Sequence, residues 1–137
     1  MNEFNLNFYK GKKVLVTGHT GFKGTWLCRI LQELGAEVTG YSQKPPTDPS
    51  IFTLTDLESQ IHSVIGDIRD LEHMIQVFKE TQPEIVFHLA AQPIVRESYK
   101  NPVNTYETNV MGTVNVLEAV RQCGSVRSCL LYTSPSP

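Results

Sequence analysis

The sequence predicts an α/β fold: a doubly wound parallel sheet of five strands in the order 3-2-1-4-5, with helices on both faces. Two observations predict it. Apolar, β-branched runs alternate with helical patterns along the chain, an alternation that builds right-handed βαβ units. The first of those runs ends in a glycine turn that opens the first helix, which makes this strand order the natural one.

In chain order, Lys10-Gly11-Lys12-Lys13 leads into a first strand at about 13–17. Trp26, Leu27, Ile30, Leu31 and Leu34 recur at helical spacing, so a first helix spans about 22–34 and stops at Gly35. Glu37 to Tyr41 forms a second, short strand. Lys44-Pro45-Pro46-Thr47-Asp48-Pro49 is a loop, because its three prolines lack the amide donor. Phe52 to Leu57 forms a short helix, and Ile61 to Ile65 a third strand. Asp70 caps a helix from Leu71 to Thr81, which Pro83 ends. Glu84 to Ala91 reads as a fourth strand, mostly apolar as a strand covered on both faces must be. After a polar loop with Pro93 and Pro102, a long helix runs from about Val103 to Gln122, and Gly124 ends it. Ser128 to Tyr132 is the fifth strand, after which Ser134-Pro135-Ser136-Pro137 opens no further unit and a sixth strand is missing.

The turn after the first strand carries the most chemistry. Gly18 lets the chain turn sharply, Gly21 lets backbone approach a pyrophosphate, and Gly24 lets helix pack close to strand. The amides and dipole of the helix N-terminus then suit phosphate charge. Thr20, Phe22 and Lys23 complete this expected phosphate side. The spacing is G-x-x-G-x-x-G, and Lys23 precedes Gly24 instead of following it, which argues against a nucleoside triphosphatase loop. A turn that is glycine-rich for conformational reasons alone is the competing reading.

A chain of 137 residues fits one domain with a sizeable core. A net charge of −2 without a basic cluster argues against nucleic acid. No apolar run approaches the ~20 residues of a membrane span, and Met1-Asn2-Glu3-Phe4 is no signal-peptide start. Cys28, Cys123 and Cys129 show neither metal spacing nor pairing, so reduced cysteines, a cytoplasmic protein and no metal site are expected.

Four motifs taken together carry a resemblance. Thr17-Gly18-x-x-Gly21-x-x-Gly24, Asp67-Ile68-Arg69, His88-Leu89-Ala90-Ala91 and Thr108-Asn109-Val110-x-Gly112-Thr113 resemble the extended short-chain dehydrogenase/reductases, the nucleotide-sugar epimerases and dehydratases. Within them, the Phe8 to Lys13 lead-in, the Gly18 to Leu27 turn, Gly40-Tyr41-Ser42 with its proline loop and Gln92-Pro93-x-Val95-Arg96-x-Ser98-Tyr99 are most similar to the CDP-glucose 4,6-dehydratases. The likeness runs to about Ser134. It implies a truncated Rossmann domain with recycled NAD, CDP-glucose as substrate, a homo-oligomer and a role in deoxysugar synthesis. The family continues its fifth strand with Thr-Ser-Asp-Lys and a later Tyr-x-x-x-Lys pair. Here Pro135-Ser136 stand where Asp-Lys is expected. The chain therefore reads as the N-terminal, cofactor-binding part of a longer enzyme, residues 1–134, with a tail at 135–137 that departs from the family and a C-terminal substrate part absent.

The resemblance assigns roles one residue at a time. The Asp67 carboxylate would accept from the adenine amino group, with Ile68 against the ring; a plain turn or cap aspartate is the alternative. Tyr41 and Ser42 would lie along the ribose, although Tyr41-Ser42-Gln43-Lys44 offers neither the acid that suits a 2′-hydroxyl nor the arginine that suits a 2′-phosphate. Leu89, Ala90, Ala91 and Gln92 would line the cofactor, or simply pack the sheet. Asn109, a poor residue for a helix interior, would shape the site beneath the cofactor. Arg96, Ser98 and Tyr99 would lie near the sugar nucleotide or a subunit contact, or in a solvated loop. Ser134 would bond the sugar 4-oxygen as the chain's one catalytic candidate. His88 reads as a satisfied core histidine.

Overall fold

The computed structural model describes residues 6–44, 51–89, 103 and 107–131. Among the described residues nine strands and α-helices follow one another: β1 (Lys13–Thr17), α1 (Phe22–Glu33), β2 (Glu37–Ser42), the single turn α2 (Ile51–Leu54), β3 (His62–Ile65), α3 (Leu71–Thr81), β4 (Ile85–His88), α4 (Gly112–Cys123) and β5 (Ser128–Leu131). The strands form one parallel sheet in the order β3-β2-β1-β4-β5, as the alternation and the glycine turn require.

β1 sits at the centre because its side chains can be buried on both faces. Leu15 points to one layer, and Val14 and Val16 to the other. The first layer joins Leu15, Tyr41 and Val86 to Met74, Val77 and Phe78 of α3 and to Val116 and Ala119 of α4. The second joins Val14, Val16 and Val38 to Cys28 and Leu31 of α1 and to Phe52 and Leu57. The sheet is thus covered on both sides. In register, Thr17 stands opposite Tyr41 on one side and His88 on the other, so the carboxyl ends of β1, β2 and β4 finish together.

Local rules account for most boundaries. The Asp70 carboxylate accepts from the His73 amide at 3.2 Å and starts α3. Gly124, with φ of 78°, ends α4. Three expectations need correction. The helix expected over Phe52 to Leu57 is two pieces, α2 and a 3₁₀ turn at Leu57–Ser59, because Asp56 between them takes left-handed backbone. The ladder of the fourth strand ends at His88, short of the expected Ala91. The long helix expected from Val103 is not regular: a π-turn at Glu107–Met111 precedes α4. There the Thr113 hydroxyl donates to the Asn109 carbonyl at 2.8 Å, and Gly112 lies against Ile68, where any Cβ would strike the Ile68 side chain. Ala90, Ala91, Gln92, Arg96, Ser98, Tyr99, Ser134, the proline loop at 45–50 and the tail at 135–137 lie outside the described residues.

Candidate functional site

Strand order reverses between β1 and β4, and in such sheets the crevice above the carboxyl ends at that point receives the ligand. The turn from Thr17 to Gly21 forms its floor. Gly18 takes φ of 83°, a conformation that costs glycine little, and its amide donates to the Tyr41 carbonyl at 2.9 Å. Gly21 is the N-cap of α1 in extended backbone and supplies no side-chain cap bond. A helix start without a side-chain cap is the setting in which backbone amides and dipole suit an anion.

The two later glycines differ in what demands them. A Cβ on Gly24 would collide with the Gly18 carbonyl oxygen and lie 2.7 Å from the Gly18 carbonyl carbon and 2.8 Å from the His19 Cα, so helix packing requires glycine there. A Cβ on Gly21 would meet only the Gly18 oxygen, at 3.5 Å, an ordinary contact. Among the described residues, then, packing alone does not demand glycine at position 21. Phe22 and Lys23 stand exposed on the same first turn.

Side chains beneath the turn fix its shape. Thr25 donates to the His19 carbonyl at 2.9 Å. Thr20 donates to the Gln43 carbonyl at 2.9 Å, so the Ser42 hydroxyl, 3.0 Å away, is the donor to Thr20. His19 is fully buried, bonds Ser63 through Nε2 at 2.7 Å and packs edge-on against Phe52. Its Nδ1 has no partner, so a proton on Nε2 is the cheaper tautomer, leaving only a lone pair unmatched. Burial pushes this imidazole down to about 4.

At the far end of β2 and β3, Asp67 is held from two sides. Arg69 donates through Nε and through Nη2, the latter at 2.7 Å, and Gln43 donates its amide at 3.0 Å. The hydrogen bonds from Arg69 hold the Asp67 carboxyl below its ordinary range. It remains about a third exposed, ionised and at the rim of the crevice. Tyr41 and Ile68 are placed differently. Tyr41 is fully buried, with its hydroxyl donating to the Asp67 carbonyl at 2.8 Å. Ile68 is 4% exposed and packs in the core under α4. The Ile68 carbonyl takes the amide of the buried Asn115 at 2.9 Å, which ties the β3 loop to α4.

On the other side of the crevice, His88 bonds Thr17 through Nδ1 at 2.6 Å and Thr113 through Nε2 at 3.2 Å. The Leu89 amide donates to the Thr17 hydroxyl at 3.0 Å. Burial lowers the His88 imidazole to about 4, so it is neutral at physiological pH. His88 is thus a satisfied core histidine, its partners being hydroxyls. The structure brings the glycine turn, Thr20, Ser42, Asp67, Leu89 and Asn109 to one end of the sheet, while Tyr41 and Ile68 serve it from the core. The sequence names Gln43 and Thr113 within motifs but gives neither a role, and it gives no sign of Asn115. Thr113 could have been found as a hydroxyl one helical turn after Asn109. A concavity of about 290 Å³ at the amino ends of β1 and β2, lined by Lys13, Glu37, His62 and Glu80, is no part of this site.

Cys28, Cys123 and Cys129 are free thiols, and burial pushes Cys28 up to about 12. Among the described residues no helix is long and apolar enough to cross a membrane.

Known proteins share this arrangement. The chain is 54% identical over 128 residues to the CDP-glucose 4,6-dehydratase of Salmonella typhimurium, a match spanning 93% of this chain and 36% of that protein. It is 33% identical to the GDP-mannose 4,6-dehydratase of Yersinia enterocolitica, over 88% of this chain and 34% of that one. The UDP-glucose-4-epimerase of Stenotrophomonas maltophila, solved with bound NAD and formylated UDP-arabinopyranose, superposes with a TM-score of 0.79 at 30% identity, over 90% of this chain and 37% of that one. The chain therefore spans a little over a third of the length of these proteins. The profile of the family described as GDP-mannose 4,6 dehydratase matches residues 15–136. With its crevice, its glycine turn and this match along most of its length, the chain belongs to that GDP-mannose 4,6-dehydratase family.

Proposed function

We propose that the chain is the cofactor-binding part of an NAD-dependent CDP-glucose 4,6-dehydratase, forming CDP-4-keto-6-deoxyglucose and water. The observation that carries the cofactor is the N-terminus of α1, without a side-chain cap at the reversal of strand order, where a Cβ on Gly21 would meet only an ordinary contact. The 54% identity to the Salmonella dehydratase supports the substrate. The Gly18 to Gly24 turn would hold the pyrophosphate, and Asp67 the adenine amino group. NAD rather than its phosphorylated form suits a site whose nearby guanidinium, Arg69, is already held by Asp67.

When bound, NAD supplies a hydride acceptor for C4 of the hexose and returns that hydride at C6. The protein's task is to hold the sugar and move protons. The C4 hydroxyl loses its proton to a base, the resulting ketone acidifies C5–H, and water leaves across C5 and C6. Tyrosine, near pKa ~10, serves as such a base only beside positive charge. Ser134 is the proposed hydrogen-bond partner of the sugar 4-oxygen. Residues 1–137 are expected to bind NAD without turnover, in a cytoplasmic protein that assembles as a homo-oligomer.

Calorimetry with the purified chain tests the cofactor. NAD should bind, and Gly21→Val should weaken it more than tenfold while the circular dichroism stays unchanged. No binding, or equal affinity in the variant, overturns the assignment. Grafting residues 1–131 onto the remainder of the Salmonella dehydratase tests whether this part serves that reaction, read by the alkaline absorbance of the 4-keto product from CDP-glucose. NAD binding without any turnover would favour a dinucleotide-binding protein.

A further inference from the structure

We propose that His88 and Thr113 are positioning residues that tie the phosphate turn to the π-turn at Asn109 and so shape the nicotinamide half of the site. The proposal rests on the NAD reading above. It is carried by a hydrogen-bond chain that can run in only one sense. The Thr113 hydroxyl has one proton and gives it to the Asn109 carbonyl at 2.8 Å. It can therefore only accept from His88, 3.2 Å away, which puts the imidazole proton on Nε2. Nδ1 is then a bare acceptor and takes the Thr17 hydroxyl proton at 2.6 Å. Thr17 in turn accepts the Leu89 amide at 3.0 Å.

Each end of this chain is backbone at the crevice. Thr17 is the residue before Gly18 and belongs to the phosphate turn. Asn109 lies in the π-turn on the β4 side. In a doubly wound sheet the first half, β1 to β3, takes the adenosine, so the half beginning at β4 takes the other nucleotide. π-turns are rare and tend to mark functional sites. A histidine needed only to fill the core would not require both its hydroxyl partners to end on site backbone. Burial supports the scheme by keeping His88 neutral, because a second ring proton would face Thr17 and break the sense of the chain.

Thr113→Val keeps the shape of the side chain and removes the hydroxyl, whereas Thr113→Ser restores it. Affinities for NAD and for ADP-ribose, which lacks only the nicotinamide, are measured by calorimetry on the full chain. In Thr113→Val, NAD should bind about three- to tenfold more weakly, one neutral hydrogen bond's worth, with ADP-ribose within twofold of wild type. Thr113→Ser should restore NAD. Equal losses for both ligands, or none for either, overturn the proposal. A wild-type chain that binds neither overturns the cofactor reading instead. Independently of any variant's folding, ¹⁵N spectra of the wild-type histidines should show His88 protonated on Nε2 and not titrating between pH 8 and 5. The Nδ1–H form, or titration near 6.5, overturns the relay.

Discussion

Replacing Gly24 with alanine adds one methyl group between α1 and the turn that precedes it. The methyl carbon would overlap the Gly18 carbonyl oxygen and lie 2.7 Å and 2.8 Å from two further backbone carbons. Carbon atoms pack comfortably at about 3.5–4.0 Å, so helix and turn must part by roughly 1 Å. Neither can swing aside as a side chain does. The turn is pinned by the Gly18 amide on Tyr41 and by the Thr25 hydroxyl on His19. Overpacking of this kind costs about 1–3 kcal/mol, with backbone against backbone at the upper end. The better helix propensity of alanine returns about 1 kcal/mol. The net loss is about 2 kcal/mol, which at a typical urea dependence lowers the unfolding midpoint by roughly 1 M. Urea titration followed by circular dichroism measures it. A midpoint equal to or above the wild type would show that the helix has room and that Gly24 is not a packing requirement. Gly21→Ala, whose methyl meets only one ordinary contact, should leave the midpoint within about 0.5 kcal/mol.

Asp67→Ala removes the carboxylate shared by Arg69 and Gln43. Because the pair is about a third exposed, stability should change by less than about 1 kcal/mol. NAD should nevertheless bind roughly ten- to a hundredfold more weakly, the worth of a charge-assisted bond, and the hypoxanthine analogue should lose less; equal losses would show that Asp67 serves the loop alone. His19 and His88, both near 4 when folded against about 6.5 unfolded, make the unfolded chain bind more protons between those values. Their stabilisation is complete above pH 6.5 and drains as pH falls towards 4, by of order 3 kcal/mol for each; an unfolding midpoint that stays flat from pH 7 to 5 would show that they are not buried neutral. Gly40→Ala would drive a methyl into the His19 ring, whose Nδ1 would lie 2.7 Å from it. Adding His19→Ala should recover part of that loss, and strictly additive effects would mean that the two positions do not touch.

Strand order, the glycine turn and the Asp70 and Gly124 caps were legible because each rests on local chemistry: β-branched runs, a missing Cβ, a short carboxylate before a helical pattern. The burial of Tyr41 and Ile68 was not legible, because their sequence neighbourhood says only that one lies near a strand's end and the other just beyond one. Whether such a side chain turns to the crevice or the core depends on α3 and α4 packing across it. The π-turn escaped for a similar reason. Nothing in the Val103 to Gln122 pattern breaks helical spacing, and the deviation is tied to partners such as Ile68 and His88, far away in sequence. Asn109 is legible as part of a motif and as an awkward helix residue, but the Thr113 hydroxyl and His88 imidazole that bear on it are not.

The position of β1 also bears on how the protein comes into being. Its last residue, Thr17, finds its partner His88 only 71 residues later. At synthesis rates of about 5–20 residues per second, roughly 4–14 s pass between the making of the two. For that interval Val14, Leu15 and Val16, all fully buried in the finished sheet, have β2 as their only neighbouring strand and one edge open to other chains. The strand made first is thus closed in only after β2, β3 and α3 have been made, and its open edge can pair wrongly while α3 is still emerging.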